Sequence, residues 1–131
     1  HYGSAPHVDF GCITLLTQDQ GGLQVQGPAG EWLHVPPVPN TFVMNVGTML
    51  SRWSNGVLRS TAHRVINESG RSRFSVAFFY DPHMNTEVAP LESCVSKDHP
   101  LCFEPVAYRD FVHDQLQATY IHHQLHDGRD T

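Results

Sequence analysis

Glycine, proline and asparagine break the chain so often between His1 and Pro90 that only short elements fit between them. Gly21-Gly22, Gly27-Pro28, Pro36-Pro37, Pro39-Asn40, Asn55-Gly56 and Gly70 are all turn formers. Glycine tolerates a positive φ, while proline fixes φ and lacks an N–H to give a ladder. Between the turns lie runs of strand length: Cys12 to Leu16, Leu23 to Val25, Glu31 to Val35, Thr41 to Val46, Ala62 to Ile66 and Phe74 to Tyr80. The Glu31 to Val35 run reads as a hairpin partner of Leu23 to Val25. Thr41 to Val46 reads as a buried strand, and Phe74 to Tyr80, the most apolar run in the chain, as a strand with one packed face. Short strands at this spacing predict a mainly β fold, a sandwich or barrel of jelly-roll type.

The texture changes at Pro105. Tyr108, Phe111, Val112, Leu116, Thr119, Tyr120 and His123 recur every three to four residues, which predicts one amphipathic helix with Pro105 near its first turn. The chain then divides into a β core over 1–104, a helix over 105–126 packed on that core, and a tail over 127–131.

Charge and cysteine usage narrow the functional classes. The net charge of −5 argues against a nucleic-acid binder, which shows a basic face. No apolar run approaches the roughly 18 residues of a membrane span. No secretory leader is visible, and Cys12, Cys94 and Cys102 form no C-x-x-C pair, so free thiols and a cytoplasmic location are expected. Ten of the 131 residues are histidine, the commonest metal ligand. His34, His83, His99 and His113 read as surface or loop residues. His122 and His126, four apart on the helix, read as a solvated helix end.

Three side chains carry a sharper signal. His7 and Asp9 are i and i+2, so on a strand they offer an imidazole and a carboxylate to one face. His63, opening the run to Ile66, supplies a second imidazole. Two imidazoles and a carboxylate occupy one face of an octahedron and leave the other open, as in non-haem Fe(II) oxygenases. Arg73 and Ser75 are again i and i+2, at the start of the Phe74 to Tyr80 run. A guanidinium on an apolar strand needs an anionic partner, either a protein carboxylate or a bound one.

Several runs taken together resemble a known family. His7-Val8-Asp9-Phe10-Gly11, Thr14-Leu15-Leu16, Gln18-Asp19, Gly21-Gly22-Leu23-Gln24-Val25, Asn45-Val46-Gly47, Ser54-Asn55-Gly56, Ser60, His63-Arg64-Val65 and Arg73-Phe74-Ser75 are similar to the 2-oxoglutarate and Fe(II)-dependent dioxygenases related to isopenicillin N synthase. The resemblance covers roughly residues 1–90. It implies a double-stranded β-helix with iron on His7, Asp9 and His63. It also implies that Arg73 and Ser75 bind the distal carboxylate of 2-oxoglutarate, with Tyr2 reaching the same cosubstrate. Phe10, Phe79 and Tyr80 are candidates to line the substrate side, while Leu15 and Val65 read as barrel filler.

The implied reaction couples oxidative decarboxylation of 2-oxoglutarate to succinate with hydroxylation, desaturation or demethylation of a small molecule, using O₂ and ascorbate as a reductant. An oxidase or cyclase that dispenses with 2-oxoglutarate, or a silent ligand-binding jelly roll, remains open. Three departures from the family stand out. Thr48 replaces an Asp after Asn45-Val46-Gly47, so a local structural change is expected. Only Gly3-Ser4-Ala5-Pro6 separates Tyr2 from His7, where the family has a longer loop. The large N-terminal region of the family is missing, so a further part of the same protein is expected against the core.

Overall fold

The computed structural model describes residues 2–67 and 69–127, with side chains described as far as residue 118. The strands form two antiparallel sheets that face one another. One sheet has the order β1-β6-β3-β4, made by β1 (Tyr2–His7), β6 (His63–Ile66), β3 (Leu23–Gln26) and β4 (Trp32–His34). The other has the order β5-β2-β7, made by β5 (Val43–Val46), β2 (Ile13–Gln18) and β7 (Ser75–Tyr80). This is the jelly roll expected from the turn pattern, and the β3–β4 hairpin pairs Val25 with Leu33 as read. A helix α1 (Thr48–Trp53), a small ladder of β8 (Glu87–Val88) with β9 (Val106–Ala107), and a C-terminal helix α2 (Tyr108–Asp127) complete the chain.

The short α1 helix is absent from the sequence reading. Six residues are too few to display a helical period, and Gly47 before it looks like a strand end. The predicted start of α2 is also corrected. Pro105 lies outside the helix, which opens at Tyr108 after the β9 strand. Its apolar stripe is shorter than read: Tyr108, Phe111 and Val112 pack inward, whereas Leu116 is 53% exposed. The side chains of Thr119, Tyr120, His122, His123 and His126, and the tail beyond 127, lie outside the described residues.

An apolar cluster ties both helices to the strands. Cys12, Met49, Val88 and Tyr108 are buried there, with Ile13, Leu50, Trp53, Val106, Phe111 and Val112 packed around them. Its atoms come from β2, both helices and the β8–β9 ladder, so it locks the helices onto the barrel. All three cysteines are free, as expected.

Register decides which side chains look between the sheets. Thr14 pairs with Asn45 on β5 and with Phe79 on β7, so these three share a face. Leu15 pairs with Met44 and Phe78 on the opposite face. The expectations that Thr41 to Val46 is buried, that Leu15 fills the barrel and that one face of Phe74 to Tyr80 is packed are therefore corrected. Phe42, Met44, Phe74, Val76, Phe78 and Tyr80 are each more than 60% exposed. A strand with apolar residues on both faces looks buried on both, yet β7 is exposed along its whole length and only β2 beside it contributes a buried residue, Thr14. Val65 is buried as read, on the same face of β6 as His63.

Candidate metal centre

β1 carries no loop between Tyr2 and His7. It runs the whole way as a strand against β6, but its register slips between Tyr2 and Ser4 and again between Ser4 and His7. Bulges of this kind re-aim side chains at sheet rims. Here they bring His7 directly opposite His63, with ring centroids 4.3 Å apart. The chain then leaves the strand, and Asp9 turns its side chain toward both rings. Asp9 Oδ1 lies 3.5 Å from His7 Nε2 and 3.6 Å from His63 Nε2. One ligand atom from each of the three residues falls within 4.8 Å of the others, the one such group found among the described residues.

Each member is held by a second contact. His7 Nδ1 faces the Ala5 carbonyl at 2.8 Å, and His63 Nδ1 faces the Thr61 carbonyl at 3.3 Å. An Nδ1–H given to a carbonyl leaves Nε2 with its lone pair. Asp9 Oδ2 accepts from Thr14 Oγ1 at 2.5 Å and from Asn45 Nδ2 at 2.8 Å, which leaves Oδ1 free to face the imidazoles. The Asp9 carbonyl accepts from Thr48 N at 2.8 Å and from Thr48 Oγ1 at 3.0 Å. The Thr48 departure from the family pattern thus takes the form of a clasp, tying the start of α1 to the Asp9 backbone.

The charges agree with a cation site. Burial works to raise the Asp9 pKa, but hydrogen bonds from His7, Asn45 and Thr14 and the charge of His63 hold its carboxyl well below the ordinary range. The hydrogen bond to Asp9 pushes the His7 imidazole above its ordinary value, against the effect of burial and with help from the Ala5 carbonyl and the Asp9 charge. Three lone-pair atoms converge, and without a metal a proton must sit among them. A divalent ion replaces that proton, so the donor set fits ferrous iron.

A second pocket lies along the same barrel face. A cavity of about 280 Å³ is lined by Gly3, Ser4, Val65, Arg73, Phe74 and Ser75, together with Asn67. Val65 is two residues from His63 on one strand face, a separation of about 6.6 Å along a strand. Arg73 donates to Gly21 O at 2.9 Å, Gln18 Oε1 at 2.8 Å and Ser75 Oγ at 3.1 Å. Among the described residues no carboxylate pairs with it. The guanidinium is oriented by neutral acceptors and its charge is left for something else.

The remaining candidates separate. Phe10 and Phe79 line a third cavity, of about 390 Å³, that also touches His7 and Asp9. Tyr80 belongs to the outer face and does not line it, since alternate strand residues point opposite ways. Tyr2 is 58% exposed, and its ring lies under the Arg64 guanidinium, 5.9 Å from the ring centroid. Arg64 stands on the strand face opposite His63, so the structure does not bring Tyr2 to the Arg73 pocket. Thr14, Asn45, Thr48 and Asp81 were given no role from the sequence. A lone threonine inside the apolar β2 run was the one available signal, and it becomes meaningful only with the register.

Two facing antiparallel sheets with two imidazoles and a carboxylate at one end define the class of jelly-roll, mononuclear metal-dependent oxygenases. Residues 1–82 match the model of the 2OG-Fe(II) oxygenase superfamily, and the chain belongs to that family. It is 38% identical over 122 residues to Homoarginine-6-hydroxylase 2-ODD-233 of Oryza sativa subsp. japonica, which covers 91% of this chain and 37% of that protein. Among solved structures, the rice dioxygenase for auxin oxidation superposes with a TM-score of 0.85 at 35% identity, covering 90% of this chain and 41% of the other. Neurospora crassa T7H in complex with alpha-KG and thymine gives a TM-score of 0.84 at 33% identity, covering 92% and 38%. The chain therefore spans a little over a third of the length of these relatives.

Proposed function

We propose that this chain is the catalytic core of a 2-oxoglutarate- and Fe(II)-dependent dioxygenase that oxidises a small organic molecule. His7, Asp9 and His63 would hold the iron. Arg73 and Ser75 would bind the distal carboxylate of 2-oxoglutarate. The observation that carries the reading is the pairing of two features on one barrel face. Three ligand atoms converge at one end, and a guanidinium without a carboxylate partner lines the pocket beside Val65.

When bound, iron supplies the site for O₂ and 2-oxoglutarate and the redox chemistry that oxidises an unactivated C–H bond. The protein's own residues do the rest. Thr14 and Asn45 fix the Asp9 carboxylate so that one oxygen faces the metal position. The Ala5 and Thr61 carbonyls keep both imidazoles in the tautomer that can ligate. Gln18 and the Gly21 carbonyl aim Arg73. Phe10 and Phe79 line the cavity beside the ligands and offer apolar contact to a substrate there. The exposed outer face of β5-β2-β7 supports a reading in which a further part of the same protein packs there.

The test is anaerobic addition of Fe(II) and then 2-oxoglutarate to the full-length protein. A visible metal-to-ligand charge-transfer band that Asp9→Ala abolishes is the expected result. Arg73→Ala should raise the 2-oxoglutarate concentration needed for the band at least tenfold, with metal affinity retained. A correctly folded protein that shows no band, or an Arg73→Ala protein with unchanged 2-oxoglutarate affinity, refutes the assignment.

A further inference from the structure

The cavity beside the triad contains a negative charge that the chemistry above does not use. Asp81, just after β7, lines it together with the apolar Phe10, Phe79, Met84 and Val112. No lysine or arginine lines this cavity, and among the described residues none forms an ion pair with Asp81. The neighbouring Tyr108 hydrogen-bonds Asp81, and burial together with the Asp81 charge pushes its pKa up to about 12; the phenol is a neutral donor that brings no positive charge to the acid.

The position of the carboxylate is built into the backbone. A Cβ on Gly11 would collide with the Asp81 carboxylate, so glycine leaves the space that the acid fills. The Cys12 amide donates to the Tyr80 carbonyl at 3.3 Å, which ties the end of β7 to this same turn. Asp81 is thereby set against a residue only two positions from Asp9, on the wall of a cavity that Asp9 also lines.

We propose that Asp81 selects a substrate carrying a cationic nitrogen, an ammonium or guanidinium group on an apolar chain. The proposal rests on the oxygenase reading and adds its substrate class. The charge on Asp9 would be matched by the metal, whereas Asp81, exposed at the cavity wall, has the Tyr108 hydroxyl as a hydrogen-bond partner but no cation beside it among the described residues. A cation at one end of an aliphatic chain satisfies that acid, and the chain itself contacts Phe10, Phe79 and Met84. An anionic substrate would meet repulsion at the same place.

The experiment compares n-pentylguanidine, n-hexylamine, the neutral n-pentylurea and hexanoate by calorimetry on full-length protein freed of metal. The cations should bind at least tenfold more tightly than the urea, and hexanoate most weakly. Asp81→Asn should bring cation and urea affinities within about twofold, and Asp81→Glu should keep the preference. Equal binding of cation and urea by the wild type, or a preference that survives Asp81→Asn, overturns the proposal. Because metal is absent, the result is independent of turnover. A protein that prefers the cations but shows no 2-oxoglutarate-dependent charge-transfer band would refute the oxygenase reading while leaving the cation site in place.

Discussion

Replacing Thr14 by valine should weaken metal binding about 10- to 100-fold without unfolding the protein. The side chain is nearly isosteric, so the interior volume is kept and only the hydroxyl is lost. That hydroxyl donates to Asp9 Oδ2 at 2.5 Å, and Thr14 is only 3% exposed, so water has little room to replace it. A hydrogen bond to a charged group contributes about 1.5–3 kcal/mol. At about 1.4 kcal/mol per factor of ten, that is about 10- to 150-fold in affinity. Asn45 still donates to the same oxygen at 2.8 Å and restrains the carboxylate, which moves the estimate toward the lower part of the range. Changes to such outer partners of metal ligands typically cost 10–100-fold. The assay is titration of full-length, metal-free protein with Mn(II), followed by calorimetry, with circular dichroism to verify folding. Thr14→Ser, which keeps a donor, should recover most of the affinity. A valine variant whose Mn(II) affinity stays within twofold of wild type would show that Asp9 is positioned by something else.

Other perturbations follow from the same geometry. At Gly47 a Cβ would run into the backbone carbonyl of Gly11, so Gly47→Ala should cost about 1–3 kcal/mol in urea unfolding and reduce metal affinity by shifting the Asp9 turn. Asn55 is fully buried with φ of 53°, and its side chain bonds Cys94 O, Pro100 O and Cys102 N, so Asn55→Ala should destabilise by about 2–4 kcal/mol. Asn55→Gly, free of the strain at positive φ, should be the milder change in the same unfolding assay. For His7, the folded pKa is raised above the unfolded one, so its pairing with Asp9 stabilises the metal-free protein below about pH 6.5 and fades as pH rises through the raised value. In chelator, the melting-temperature advantage of wild type over His7→Gln should therefore shrink from pH 5.5 to pH 8. With saturating Mn(II) it should grow over the same range, because the metal needs the neutral imidazole.

The legible part of this molecule was the part encoded in local chemistry. Turn residues announced the hairpin of β3 and β4, and the i, i+2 spacings of His7 with Asp9 and of Arg73 with Ser75 pointed to shared faces. What pairing created could not be read. Thr14, Asn45 and Phe79 lie far apart in the chain and share a face only because β2 sits between β5 and β7 in one register. The bulges that set His7 opposite His63 leave no mark in the sequence, and they turned an expected loop into strand. β7 misled for a related reason. All six of its residues are exposed, Phe79 at 55% and Val76, Phe78 and Tyr80 above 60%, so the most apolar run in the sequence is not a buried one and hydrophobicity alone does not report burial. Tyr2 shows the same limit, since placing it required knowing that Arg64 reaches over it.

Asp9 is where the two sheets are joined. Its Oδ1 faces imidazoles from β1 and β6 in one sheet, and its Oδ2 is bound by β2 and β5 in the other. Its carbonyl receives two bonds from the first residue of α1. A buried carboxylate in that position is costly unless every lone pair is used, and the metal-free protein can meet the demand only by keeping a proton on an imidazole. A divalent ion removes that compromise and binds only when both sheets are in place. By mass action it then stabilises the whole barrel in proportion to the logarithm of its concentration over its dissociation constant. Affinity for metal and cooperativity of folding are thus two readings of one residue, and a change at Thr14, Asn45 or Thr48 should move both together.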